Sequence, residues 1–321
     1  NGLLTLGRGG TGELSVYNGA GVYSNGLVMA EQGGTATLTI GSDGGMNTTG
    51  AQTVIGRNGQ ATATISSRFF ASNVILGEAA GSQGLVQLSG SSGEWISDAL
   101  ALGDAGTGRF AVTDGASATV TGSILLASAA GSEGQLVVSN NGVLVVGDST
   151  SLLTSISTGT GSGELQLSGG VLRNPGWLTV SSDMRVTSDS QLDAIGNLDI
   201  QGNIRGSGGL AKTGTGVLML KGDNSFAGDL TINQGTLSLG GNQAAGNGRL
   251  IFADGTSLGM VNMTTLANSV RLLGTTDVHI AGSDSVTFAG GVSGTASTVL
   301  EKHGSGELVL YPLDYTQPFL T

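Results

Sequence analysis

A short pattern returns along the first half of the chain at a spacing that fixes the architecture before any other property is considered. Two or three β-forming residues end on a small residue, a glycine-rich turn follows, and an alternating strand comes after it. The pattern reads LTLGRGGTGELSV from Leu4, LVMAEQGGTATLTI from Leu27, TVIGRNGQATATI from Thr53, VILGEAAGSQGLVQL from Val74, LALGDAGTGRFAV from Leu100 and ILLASAAGSEGQLVV from Ile124, with a degenerate copy from Thr154. The small residues are Gly7, Ala30, Gly56, Gly77, Gly103 and Ala127, at intervals of 23, 26, 21, 26 and 24 residues. Within a unit, as in Gly12-Glu13-Leu14-Ser15-Val16, apolar and polar residues alternate, the period of a half-buried strand. A unit of about 24 residues is too short to bury a core of its own, so it must stack on its neighbours. Each strand then pairs with the same strand of the next coil, and the inward residues form one column. A sandwich or barrel would show hairpins every 8–12 residues without this recurrence. The expectation is an all-β solenoid, a parallel β-helix of about 24 residues per coil.

Composition agrees and removes other classes. With 59 glycines in 321 residues, a helical bundle would lose roughly 1 kcal/mol at each interior glycine. Three prolines are far too few for collagen. The apolar share of 38% is enough for a substantial core, which argues against disorder. No cysteine is present, so disulfides, iron–sulfur clusters and thiolate zinc sites are excluded. The two histidines, His279 and His303, leave little material for metal or acid–base chemistry. A net charge of −11 disfavours nucleic acid and anionic membrane as partners, since both need a cationic face. No apolar run is long enough for a membrane helix. The chain opens on Asn1 with no signal peptide, which reads as an excised or processed segment of something longer.

The second half carries a sharper repeat. The segment Ala211 to Leu220, AKTGTGVLML, returns as Glu301 to Leu310, EKHGSGELVL, with the lysine, both glycines and both leucines offset by 90 residues. Upstream, Gly202 to Gly206 is similar to Gly290 to Gly294. The change of repeat falls near the turn sequence Asn174-Pro175-Gly176-Trp177. Two blocks are expected within one solenoid, 1–175 with the 24-residue units and 176–321 with the lysine-led copies from Lys212 and Lys302.

From Lys212 the chain reads KTGTGVLMLKGDNSFAGDLTINQGTLSLGG. This closely resembles the passenger-associated transport repeat of Gram-negative autotransporters: a lysine, Thr-Gly-x-Gly to Gly216, the strand with Leu218 and Leu220, Gly222 and Asn224, the aromatic Phe226, Gly228, and Thr231 to Leu237. The copy from Lys302 departs after Leu310, where Tyr311-Pro312-Leu313-Asp314-Tyr315 replaces Gly-x-Asn. The resemblance implies a right-handed β-helix, exported across the outer membrane by a C-terminal β-barrel and displayed on the bacterial surface. It also implies roles in adhesion, self-association and biofilm growth. Barrel strands of about 10 residues with aromatic girdles are not visible in this segment.

Candidate sites are few. Gly147-Asp148-Ser149 matches the nucleophile box of an esterase family, but Asp277-Val278-His279 has the wrong spacing for its Asp-x-x-His partner, and the box sits at an ordinary strand-to-turn position. Glu94-Trp95-Ile96-Ser97-Asp98 is the only acidic pair beside a large aromatic, so Glu94, Trp95 and Asp98 are the candidates for contact with a sugar; the competing reading has Trp95 covering the edge of a coil. Lys221-Gly222-Asp223, similar to an integrin-type tripeptide, falls at a turn of the transport repeat. His303 stands where the first copy has Thr213, which marks it as a variable surface position. No catalytic, cofactor-binding or metal-binding set is expected. The expected function is a surface passenger acting as adhesin or self-association module through a long polar face, with another copy, a host protein or a glycan as partner. The alternatives are a bare structural stalk and, less favoured, a polysaccharide-active or ester-cleaving enzyme.

Overall fold

The computed structural model describes residues 2–282 and 284–311. Among them every regular element is a strand, and all strand ladders are parallel, winding a β-solenoid of about 13 turns of about 23 residues. The chain divides into two units: residues 1–173 with 181–183, and residues 174–180 with 184–321.

In unit 1 each coil contributes one strand to each of three sheets. The first sheet begins with Leu3–Leu6 and Gly26–Met29, the second with Thr11–Val16 and Thr35–Ile40, the third with Gly21–Tyr23 and Gly45–Thr48. Register partners in the first sheet, Leu4↔Leu27↔Thr53↔Val74↔Leu100↔Ile124, step by 23, 26, 21, 26 and 24 residues. These are the intervals of the sequence pattern, because a parallel in-register ladder makes the coil length and the repeat length the same quantity. The next step, Ile124↔Ile156, is 32 residues. The extra length forms the loop 147–153 after Val143–Val146, the longer loop expected there, and its tip exposes Leu152 and Leu153.

Six small residues close the first-sheet strands, and all six have left-handed backbone, with φ between 49° and 80°. This explains the choice of glycine or alanine, since a left-handed residue carrying a side chain costs about 1–2 kcal/mol. At Gly103 (φ 71°) an added Cβ would also run into the Glu133 carbonyl of the following coil. Gly103→Ala is therefore expected to lower stability by about 1–2 kcal/mol, read as a fall in the urea midpoint. An unchanged midpoint would contradict the corner assignment.

The unit 1 core balances volume coil by coil. One inward column of the second sheet runs Ala63↔Val86↔Phe110, while the third sheet runs Phe69↔Trp95↔Ala118. Ala63 shares a coil with Phe69, and Phe110 shares one with Ala118, so a large residue is opposed by a small one. Phe69 stacks on Trp95 with centroids 4.5 Å apart, and Phe110 tilts against its other side at 4.9 Å.

In unit 2 the coils are shorter. Partners in its seven-stranded sheet, Leu178↔Leu198↔Leu218↔Leu237↔Leu258↔Val278, step by 19 to 21 residues. The 24-residue coil thus belongs to unit 1. The shortening arises where a strand is dropped: no strand lies between Val217–Leu220 and Leu230–Ile232, nor between Thr236–Leu239 and Leu250–Phe252. As a result a 90-residue offset is not a whole number of coils, and the two lysine-led copies sit on different sides. Lys212 lies in a strand of the six-stranded sheet, whereas Lys302 lies in the seven-stranded sheet. Lys212 is buried and Lys302 is exposed. Residues 312–315, part of the departure from the repeat, lie outside the described residues.

Candidate functional site

The outward side of the unit 1 third sheet holds a groove of about 820 Å³. Its floor follows from strand alternation: Met46, Phe69 and Trp95 point inward, so their neighbours Asn47, Arg68, Phe70 and Glu94 point out. Register places Tyr23, Asn47 and Phe70 in one column along the groove, and Arg68 beside Glu94 in the next. Tyr23 is 72% exposed and Phe70 is half-buried. The Arg68 Nε lies 3.4 Å from Glu94 Oε2, an exposed pair that contributes little to stability. Asp43 and backbone of the glycine-rich turns complete the lining. The chemistry offered is two aromatic faces, one pair of opposite charges and several hydrogen-bonding groups.

Of the three residues expected to contact a sugar, only Glu94 lines this groove. Trp95 does not: it is fully buried, with its Nε1 donating to Ser97 Oγ at 3.0 Å inside the coil. It is a core residue, and the reading of Trp95 as a surface aromatic is corrected by the alternation that turns Glu94 and Ile96 outward instead. Asp98 is exposed at the following corner, where Thr121 Oγ1 donates to it at 3.5 Å. The aromatic groups that do face the groove, Tyr23 and Phe70, lie 47 residues apart in the chain, and only the register brings them into one column.

The other expected sites resolve into turns. Asp148 accepts from Thr150 N at 2.8 Å, Thr150 Oγ1 at 2.7 Å and Ser151 Oγ at 2.9 Å. These bonds, the Thr150 hydroxyl first, hold its carboxyl below the usual range. The Asp148 carboxylate thus organises the loop 147–153. Lys221 donates to Asp199 Oδ2 at 2.9 Å, so its ammonium is engaged within the coil stack of unit 2.

A second surface of unit 1 is a polar lattice on the second sheet. Thr35, Thr37 and Thr39 stand in register above Gln60, Thr62 and Thr64, and these above Gln83, Leu85 and Gln87. Eight of these nine outward positions are uncharged and polar, at about 4.8 Å from rung to rung.

The lysine-led repeat of unit 2 is built inward. Lys212 Nζ donates to the carbonyls of Gly214 at 2.8 Å, Gln234 at 2.9 Å and Thr213 at 3.3 Å. Burial pushes its pKa down to about 8, with the Asp193 carboxylate opposing that shift. Gly214 is left-handed at φ 74°, next to the Ala194 carbonyl. Asn224 accepts from Ile204 N at 2.7 Å and donates to Ala244 O at 2.6 Å, so one side chain replaces the ladder of the dropped strand across three coils. Phe226 fills the core beside it. The lysine, Asn224 and Phe226 therefore have structural roles.

Comparison with protein families matches residues 210–239 to the passenger-associated-transport-repeat. This chain carries that repeat. It is found in autotransporter passenger domains, and the parallel β-solenoid around it is the architecture expected from the sequence resemblance. No curated protein and no solved structure matches the chain.

Proposed function

We propose that this chain is a cell-surface autotransporter passenger segment that acts as an adhesin or self-association module. The transport repeat and the β-solenoid support the passenger reading. The observation that carries the adhesive reading is the uncharged lattice of Thr and Gln on the second sheet. Each hydroxyl or amide there exchanges water for a partner at a net gain of about 1 kcal/mol or less. Repetition along apposed copies adds such contacts multivalently. A charge-poor face suits this use, because like-charged rods of net charge −11 would otherwise repel each other.

The test is aggregation of cells displaying the segment. Thr37→Glu combined with Gln87→Glu places two carboxylates on the lattice without touching the core, and is expected to abolish cell–cell aggregation while the folded spectrum is retained. Aggregation unchanged by the pair would remove the lattice from the mechanism. A second reading, glycan contact in the groove, is favoured by the column of Tyr23 and Phe70 beside Arg68 and Glu94. The same cells on a glycan-coated surface separate the two: adhesion that survives the lattice pair and is lost in Tyr23→Ala belongs to the groove. A bare stalk would show neither effect.

A further inference from the structure

We propose that unit 2 carries a surface site for a late first-row divalent cation such as Zn2+, built from Asp277, His279, Glu301 and His303. The strand Thr275–Ile280 buries Thr276, Val278 and Ile280, which turns Asp277 and His279 outward. The adjacent strand Val299–His303 pairs in register, Asp277 with Glu301 and His279 with His303. The only two histidines of the chain are therefore rung neighbours, and each lies two residues from a carboxylate on the same outward row.

The donor atoms of Asp277, Glu301 and His303 lie within 4.8 Å of one another. The His303 Nε2 is 3.5 Å from Asp277 Oδ1 and 3.8 Å from Glu301 Oε2. Ligands about 2.0–2.1 Å from a tetrahedral ion stand roughly 3.3 Å apart, so small rotations about exposed side-chain bonds close the shell. The His279 imidazole, one rung of about 4.8 Å away, is placed to give the fourth donor.

The donor chemistry selects the ion. Two imidazoles with two carboxylates suit Zn2+, Ni2+ or Cu2+, whereas Ca2+ needs six to eight oxygens and finds two carboxylates here. Two like charges opposed in register are also unfavourable on a parallel ladder, and a cation between Asp277 and Glu301 would neutralise them. Lys302 does not fill that place: register puts it opposite the buried Val278, and its Nζ donates to Gly304 O at 2.6 Å. Because the ligands come from two coils, the ion would clamp one coil to the next. His303, expected as a variable surface position, thereby gains a role that a single-strand reading does not show.

Calorimetric titration of the purified chain with ZnCl2 tests the site, with CaCl2 as the contrasting ion. The expected result is saturable binding of one Zn2+ per chain, no saturable Ca2+ binding, and a loss of tenfold or more in affinity for His303→Ala and for His279→Ala. Each substitution is at an exposed position, and an unchanged circular dichroism spectrum verifies the fold. Absence of saturable Zn2+ binding, or equal affinity in the double variant His279→Ala/His303→Ala, overturns the proposal.

Discussion

Trp95→Ala is expected to destabilise unit 1 by about 3–5 kcal/mol, the range for removing a large aromatic from a packed core. The ring is fully buried between Phe69 and Phe110, at 4.5 and 4.9 Å. Its column neighbour on the following coil is Ala118, so no long side chain is at hand to collapse into the space. The substitution also removes the donor to Ser97 Oγ, a buried hydroxyl. Urea unfolding monitored by circular dichroism gives the value. The contrast is Tyr23→Ala, at an exposed residue of the same sheet, which should fall within about 0.5 kcal/mol. If Trp95→Ala costs less than 1 kcal/mol, the inward placement of the indole is wrong and a surface role for it returns.

That contrast shows where the sequence could be read and where it could not. The coil of unit 1 was legible because every first-sheet strand ends on a left-handed small residue, and Gly7, Ala30, Gly56, Gly77, Gly103 and Ala127 mark that event once per turn. The direction of Trp95 was not legible. In Glu94-Trp95-Ile96-Ser97 two apolar residues are adjacent, so either phase of the alternation leaves one of them outside. The phase is set by Phe69 and Ala118 on the flanking coils, a long-range property. The groove was hidden for the same reason, since Tyr23, Asn47 and Phe70 become neighbours only once the register is known. In unit 2 the motif was legible and its phase was not. The residues of the transport repeat specify corners and a dropped strand, and the shortened coil then carries Lys302 onto a different sheet from Lys212. The His279–His303 rung depends on that shift, which no comparison of the two copies reveals.

Lys212→Met is expected to lower the stability of unit 2 by about 2–4 kcal/mol at pH 7, because methionine has similar length but leaves the carbonyls of Thr213, Gly214 and Gln234 without their donor. The relief of burying an ammonium offsets part of the loss and keeps it below the sum of three unmade bonds. The pH dependence separates this account from a packing defect. The folded-state pKa of about 8 lies below the model value of 10.5. Between those values the unfolded chain binds more protons at this position than the folded one, so the stability of the wild type rises with pH there. Below pH 8 both states hold the proton and the contribution is flat. The slope cannot exceed about 1.4 kcal/mol per pH unit, on the order of 3 kcal/mol over the window. The methionine variant lacks this term. The gap between wild type and Lys212→Met should therefore be constant from pH 6 to 8 and widen from pH 8 to 10.5, measured as the difference in urea midpoints. A gap that narrows over that range would mean that the buried lysine is held more tightly charged than its surroundings imply, with its three carbonyl bonds outweighing the loss of water.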